Sequence, residues 1–101
     1  MDFKLIIKPI ALLDVEEAVD YYEKKVSGLG RRFYNQYLAS VTDIQNKPFT
    51  YSYNVENVRR YKIESFPYKI FYTVTEKTIL ILGVTHAKRS NAFVRRRLRL
   101  L

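Results

Sequence analysis

The 101-residue chain contains no cysteine. Disulfides and thiolate metal sites are therefore excluded, and a reducing compartment such as the cytoplasm fits. A single histidine rules out a multi-histidine metal site. Only three glycines and three prolines occur, too few for a linker or a low-complexity segment. No window approaches the ~20 apolar residues of a membrane span. The opening MDFKLIIKPI has too short an apolar run, interrupted by Lys8 and Pro9, for a signal peptide. There is no Gly-rich phosphate loop, no nucleophile elbow and no internal repeat. These absences leave one domain, residues 1–101, with no cofactor, no metal and no membrane partner expected. A chain of this length buries roughly 65% of its unfolded surface and needs no staples.

Charge is abundant and unevenly placed. The formal net charge is +8. Residues 1–57 hold seven Lys or Arg and eight Asp or Glu, whereas residues 58–101 hold eleven Lys or Arg against only Glu64 and Glu76. Like charges at that density repel one another, so the arrangement points to an anionic partner, either nucleic acid or an acidic protein segment, with solubility as the alternative reading.

The hydrophobic pattern predicts the elements. Residues 3–7 (FKLII) read as a strand ended by Pro9. Leu12, Val15, Val19, Tyr22 and Val26 then recur at helical spacing, with early acids suited to a helix N-terminus and Lys24 and Lys25 to its C-terminus. SGLG, residues 27–30, stops that helix. A second helix has Phe33, Tyr37, Val41 and Ile44 as its stripe, widened by Tyr34 and Leu38, and ends at Asn46, Lys47 and Pro48. Residues 49–57 read as a loop, in part extended. Residues 58–64, 68–74 and 78–85 read as strands, the last apolar on both faces over Ile79 to Leu82 and so central and covered. AFVRRRLRLL ends the chain as a short basic helix. The expected fold is α+β, in the order β-α-α-β-β-β plus the basic helix, with an antiparallel helical hairpin on one face of a small, mostly antiparallel sheet.

The carboxylates of the first helix read as solvated surface. What remains is a cationic set: Arg59, Arg60, Lys62, Lys69, His86, Lys88, Arg89 and Arg95 to Arg97. Such a set binds phosphates. Alternatively it cleaves an RNA phosphodiester, which needs a base for the 2′-hydroxyl, cations for the phosphorane oxygens and an acid for the leaving oxygen. Histidine is the side chain whose ordinary pKa lies nearest neutrality, which makes His86 the best acid–base candidate, although a histidine closing a strand often only caps or packs. Tyr68 and Tyr72 share one strand face and read as core with rim hydroxyls. Lys69 lies on the opposite face, and Arg59 and Arg60 point to opposite faces.

Several short stretches carry a resemblance: Asp14-x-x-Glu17-Ala18-x-x-Tyr21-Tyr22, Gly28-Leu29-Gly30 with Phe33, Val58-Arg59-Arg60, Phe66-Pro67-Tyr68-x-Ile70-Phe71-Tyr72, and Ile81-Leu82-Gly83-Val84-x-His86-x-x-Arg89 with a basic end. Together they resemble the RelE/ParE superfamily of bacterial toxins, the toxin halves of type II toxin–antitoxin modules, over nearly the whole chain. The resemblance implies a cytoplasmic bacterial toxin neutralised by a cognate antitoxin through an acidic amphipathic segment, as a homodimer or a toxin–antitoxin hetero-oligomer. RelE-like members cleave mRNA on the ribosome without a metal; that branch implies Lys62, Lys69, His86 and Arg89 as catalytic. ParE-like members, the plasmid-stabilisation branch, inhibit DNA gyrase. Glu64 stands where a second strand lysine is expected of RelE-like chains, and no tyrosine follows near Phe93 and Arg95, so the lean is ParE-like. Arg59, Arg60, Tyr72, Lys88, Arg95, Arg96 and Arg97 are then the expected target or antitoxin contacts. A third reading is an inactive toxin that only binds its antitoxin and helps repress the operon.

Overall fold

Pro9 sets the first helix. Its missing N–H costs nothing at a helix start, so β1 (Lys4–Ile7) passes directly into α1 (Pro9–Lys25) in the computed structural model, which describes residues 2–100. The first turn of α1 therefore holds no acid, and the expected service of early acids at its N-terminus is not seen. Val26 leaves the helix in an extended conformation and Gly28 is left-handed at φ 89°. Helix α2 (Leu29–Asn46) starts at once. Its first N–H groups lack intrahelical partners. The Glu23 carboxylate accepts from two N–H groups at this joint, Gly28 at 2.9 Å and Gly30 at 3.0 Å. The helices touch so closely there that a Cβ on Gly30 would lie 2.6 Å from the Val19 carbonyl oxygen.

The α2 stripe is the expected one, with Phe33, Tyr37, Val41 and Ile44 buried, but Tyr34 and Leu38 are exposed rather than widening it. The α1 stripe is the expected one at its middle, with Val15 buried and Val19 and Tyr22 packed against the core, but not at its ends. Ala11, Val15 and Ala18 are buried, while Leu12 is 47% and Val26 61% exposed. Small alanines let the helix approach its neighbours, so Ala11 and Ala18 join the buried stripe while Leu12 and Val26 fall outside it.

Five strands form one sheet in the order β1-β5-β4-β3-β2. They include β2 (Tyr53–Val55), β3 (Val58–Lys62), β4 (Tyr68–Thr75) and β5 (Thr78–His86). Only β1 and β5 run parallel; the other pairs are antiparallel. Strand β2, three residues within the expected loop, pairs with β3 across a tight turn. Strand β3 stops at Lys62, two residues before Glu64. The helical hairpin covers one face, over Ile63, Ile70, Tyr72, Ile79, Ile81 and Val84. The basic end forms α3 (Asn91–Arg99), capped by the Ser90 hydroxyl accepting from the Phe93 N–H. Val94 of α3 joins Val55, Val58, Phe71 and Leu82 in a smaller cluster on the other face. Strand β5 is thus covered on both sides, as its continuous apolar run implies.

Strand β1 is short. Its register with β5 ends at Ile7 opposite Ile81, and the Lys8 N–H closes on the Ile81 carbonyl at 3.1 Å. Beyond Ile81 no strand among the described residues lies on that side of β5. Two side chains take the place of one. Asp14 Oδ2 accepts from the Val84 N–H at 2.9 Å, and Arg97 Nη1 donates to the Leu82 carbonyl at 3.1 Å. The two side chains then close on each other, with two guanidinium–carboxylate hydrogen bonds of 2.8 Å each. Glycine is required at 83, because a Cβ would lie 2.5 Å from both the Arg97 guanidinium and the Phe71 ring.

Candidate functional site

The cations of the second half are divided by the pleat of the sheet. Lys62 and Lys69 stand opposite each other in the β3–β4 register, on the face that carries α3. Lys69 is only 5% exposed. Its ammonium donates to Asn54 Oδ1 at 3.1 Å and to the Arg89 carbonyl at 3.4 Å. Burial first, and the nearby Arg60 second, hold the Lys69 pKa below the ordinary lysine value. It is a strut between β4, β2 and the loop after β5.

His86 lies on the other face. It stands opposite Tyr68 in the β4–β5 register, with ring centres 5.9 Å apart, and Tyr68 packs against Tyr22 and Phe33 of the hairpin. The His86 Nδ1 accepts from the Lys88 N–H at 3.2 Å, so the neutral ring carries its proton on Nε2. His86 and Arg89 line a cleft of about 440 Å³ between α1, the end of β5 and α3, together with Glu17, Tyr21, Tyr68 and the Asp14–Arg97 pair. Lys62 and Lys69 do not line that cleft. The four residues expected to cleave RNA are thereby split into two pairs.

The expected contact residues also differ in availability. Tyr72 is completely buried, and its hydroxyl donates to the Pro48 carbonyl at 2.7 Å; burial pushes its pKa up to about 12. It belongs to the core and is removed from any contact surface. Arg59 donates to the carbonyls of Phe49 and Tyr51 and to the Tyr53 hydroxyl, and lies 4.1 Å from the centre of the Tyr53 ring. It organises the chain before β2. Arg95 pairs with Glu56 at 3.0 Å, and Arg97 is engaged with Asp14. Arg60, Lys62, Lys88, Arg89 and Arg96 are exposed, and none of them forms an ion pair among the described residues.

Sequence reasoning missed Asp14, Glu56 and Asn54, which hold α3 and Lys69 in place. Asp14 looked like one more acid on a helix face. Its signal was Gly83, a glycine inside an apolar strand, which marks a bulge or a close approach. The β4–β5 register does shift between Phe71 and Tyr72, opposite that glycine. Among the described residues, no three His, Asp or Glu side chains form a group able to hold a metal ion.

Residues 5–91 match the family model described as ParE toxin of type II toxin-antitoxin system, parDE. No curated protein is significantly similar to the chain in sequence. Among solved structures, the chromosomal ParDE TA system from P. aeruginosa is similar at a TM-score of 0.75 and 19% identity, over 83% of this chain and 95% of that one. A mutant E. coli toxin RelE in the free state aligns over 100% of both chains at a TM-score of 0.59 and 17% identity. The intact E. coli RelBE toxin-antitoxin complex contains a chain similar at 0.63 and 17% identity, over 86% of this chain and 99% of that one. At these identities the structures share the fold, a helical hairpin on a small sheet, as the sequence motifs implied. The family match spans most of the chain, and on that basis the protein belongs to the ParE toxin family of type II toxin–antitoxin systems.

Proposed function

We propose that this toxin acts as a gyrase inhibitor in the bacterial cytoplasm and is held inactive by an acidic, amphipathic segment of a cognate antitoxin. One observation carries the choice of target: Lys62 and Lys69 lie on one face of the sheet and His86 on the other. Cleavage of a phosphodiester needs a base, an acid and stabilising cations within hydrogen-bond reach of a single phosphate. The sheet lies between His86 and the two lysines and does not offer that, and a buried Lys69 already bonded to Asn54 and the Arg89 carbonyl is poorly placed to meet a substrate. The family match supports the same reading. Recognition of an acidic antitoxin fits the excess of exposed cations.

The test is to induce the chain in bacteria lacking the antitoxin and map new RNA 5′ ends within minutes, with plasmid supercoiling and gyrase-linked DNA breaks measured in parallel. Growth arrest with altered supercoiling and no new RNA ends is expected. In-frame cuts within translated codons would replace this reading with a ribosome-dependent endonuclease. Normal growth with neither change would favour an inactive toxin retained for antitoxin binding.

A further inference from the structure

Helix α3 uses two arginines to hold itself and leaves two outside. Arg97 is fixed by Asp14 and the Leu82 carbonyl, and Arg95 by Glu56. Asn91, at the start of the helix, accepts from Asn54 Nδ2. These contacts on both flanks set the rotation of α3. Arg96 and Arg99 are then exposed, and the loop before the helix adds exposed Lys88 and Arg89. No ion pair neutralises any of the four among the described residues. The chain has no acidic residue after Glu76.

Two of these guanidiniums are also pre-positioned. Arg89 and Arg96 lie 4.5 Å and 5.7 Å from the centre of the Phe93 ring, which Arg97 also approaches at 5.1 Å. Stacking on one ring limits how far the cations wander and so lowers the ordering cost of binding. Planar guanidiniums match phosphate oxygens in geometry as well as charge.

We infer that Lys88, Arg89, Arg96 and Arg99 form a surface that binds the phosphate backbone of duplex DNA without reading its sequence. The choice of duplex follows from what accompanies the cations. Proteins that bind single strands stack splayed bases on free aromatic faces. Phe93, the ring these cations share, is half-buried and already has three guanidiniums against it, and the tyrosines nearest Arg89, Tyr21 and Tyr68, lie in the neighbouring cleft. The strip has charge to grip a backbone and little with which to read or stack a base. This surface is a property of the chain alone and does not depend on the proposed target.

Fluorescence anisotropy of the full chain, free of antitoxin, on labelled short duplexes of two unrelated sequences tests it with no gyrase present. Both duplexes should bind alike. The logarithm of affinity should fall with that of salt concentration between about 50 and 200 mM, with a slope of about −3 to −4 for four neutralised phosphates. Arg96→Glu with Arg99→Glu should weaken binding by roughly tenfold or more and reduce the slope by about two. Arg31→Glu with Arg32→Glu makes the same charge change at the exposed start of α2 and should have much the smaller effect. Lys88→Glu, in the loop, repeats the test should melting show that the α3 pair unfolds the chain. Equal losses from the α3 and α2 pairs would overturn the inference in favour of net charge alone. Tighter binding of a single strand of equal length, or of polyglutamate, would also overturn it. Because gyrase is absent, either result leaves the gyrase reading to its own experiment.

Discussion

Under the helical hairpin, the Phe33 ring packs against Tyr22, Phe66 and Tyr68 at centre-to-centre distances of 5.1 to 5.4 Å. Under α3 there is a five-residue apolar cluster, and around it the helix is fastened by Asp14–Arg97, Glu56–Arg95 and Asn54–Asn91. One face of the sheet is held mainly by buried area, which is non-directional. The other is held by a small core and by directional polar contacts, which fix one orientation and are costly to break singly. The face with the larger core carries the stability. The face with the clamps sets where the free cations point.

The largest effect should come from the apolar side. Phe33→Ala opens the centre of the aromatic cluster and should cost about 3–5 kcal/mol, read as a lowered midpoint of cooperative urea unfolding. A cost under about 1 kcal/mol would show that the cluster is not the source of stability.

Asp14→Asn attacks the clamp. It leaves the Arg97 guanidinium largely buried without its counter-charge and should cost about 3 kcal/mol. Amide exchange should separate the two regions. The α3 amides and Val84 should exchange faster, while the α1 and α2 interiors should change only by the global loss. Uniform acceleration throughout the chain would mean that α3 is not a separable unit.

Alkali should move the two faces in opposite directions. Burial raises the pKa of Tyr37 and Tyr72, on the hairpin side, from 10.0 to about 12. Between those values the folded chain keeps protons that the unfolded chain has lost, so stability falls as pH rises, by about 2–3 kcal/mol per tyrosine. Lys69, on the α3 side, has its pKa lowered from 10.5. Between its folded value and 10.5 the unfolded chain binds the proton more readily, so this group adds stability as pH rises. Unfolding measured against pH should show the tyrosine loss dominating above pH 10. Tyr72→Phe should reduce that loss, and Lys69→Met should remove the opposing rise.

The smallest change expected is Tyr37→Phe. The Tyr37 hydroxyl is buried without a hydrogen-bond partner among the described residues. Deleting it should be neutral or stabilising by up to about 1 kcal/mol. A loss of more than that would reveal a partner, such as an ordered water.

The α2 stripe was legible because large aromatic and branched residues repeat at helical spacing. The α1 stripe was legible at Val15, Val19 and Tyr22 and misread at its ends, because Ala11 and Ala18 share the burying while Leu12 and Val26 are exposed, and size is a poor guide where backbones approach closely. Strand β2 is too short to show a period. Within a strand, alternation correctly set Lys69 against Tyr68 and Tyr72. It could not relate Lys69 to His86, because that depends on the register across β4 and β5 and on the shift opposite Gly83. Arginines in a run look equivalent in sequence. Only the folded chain distinguishes Arg97, which meets an acid 83 positions away, from Arg96, which meets none among the described residues.

The Asp14–Arg97 pair has a consequence for how this protein is handled. An uncovered stretch of strand is a template on which another chain can add itself, and natural proteins guard such stretches with charge or with a covering element. Here part of the guard on β5 is contributed by an arginine of α3, 83 positions from the acid it meets. A chain cut back before Arg97 would lose more than a basic tail. It would bare the Leu82 carbonyl and strip Asp14 of its counter-charge, turning a guarded sheet margin into an adhesive one.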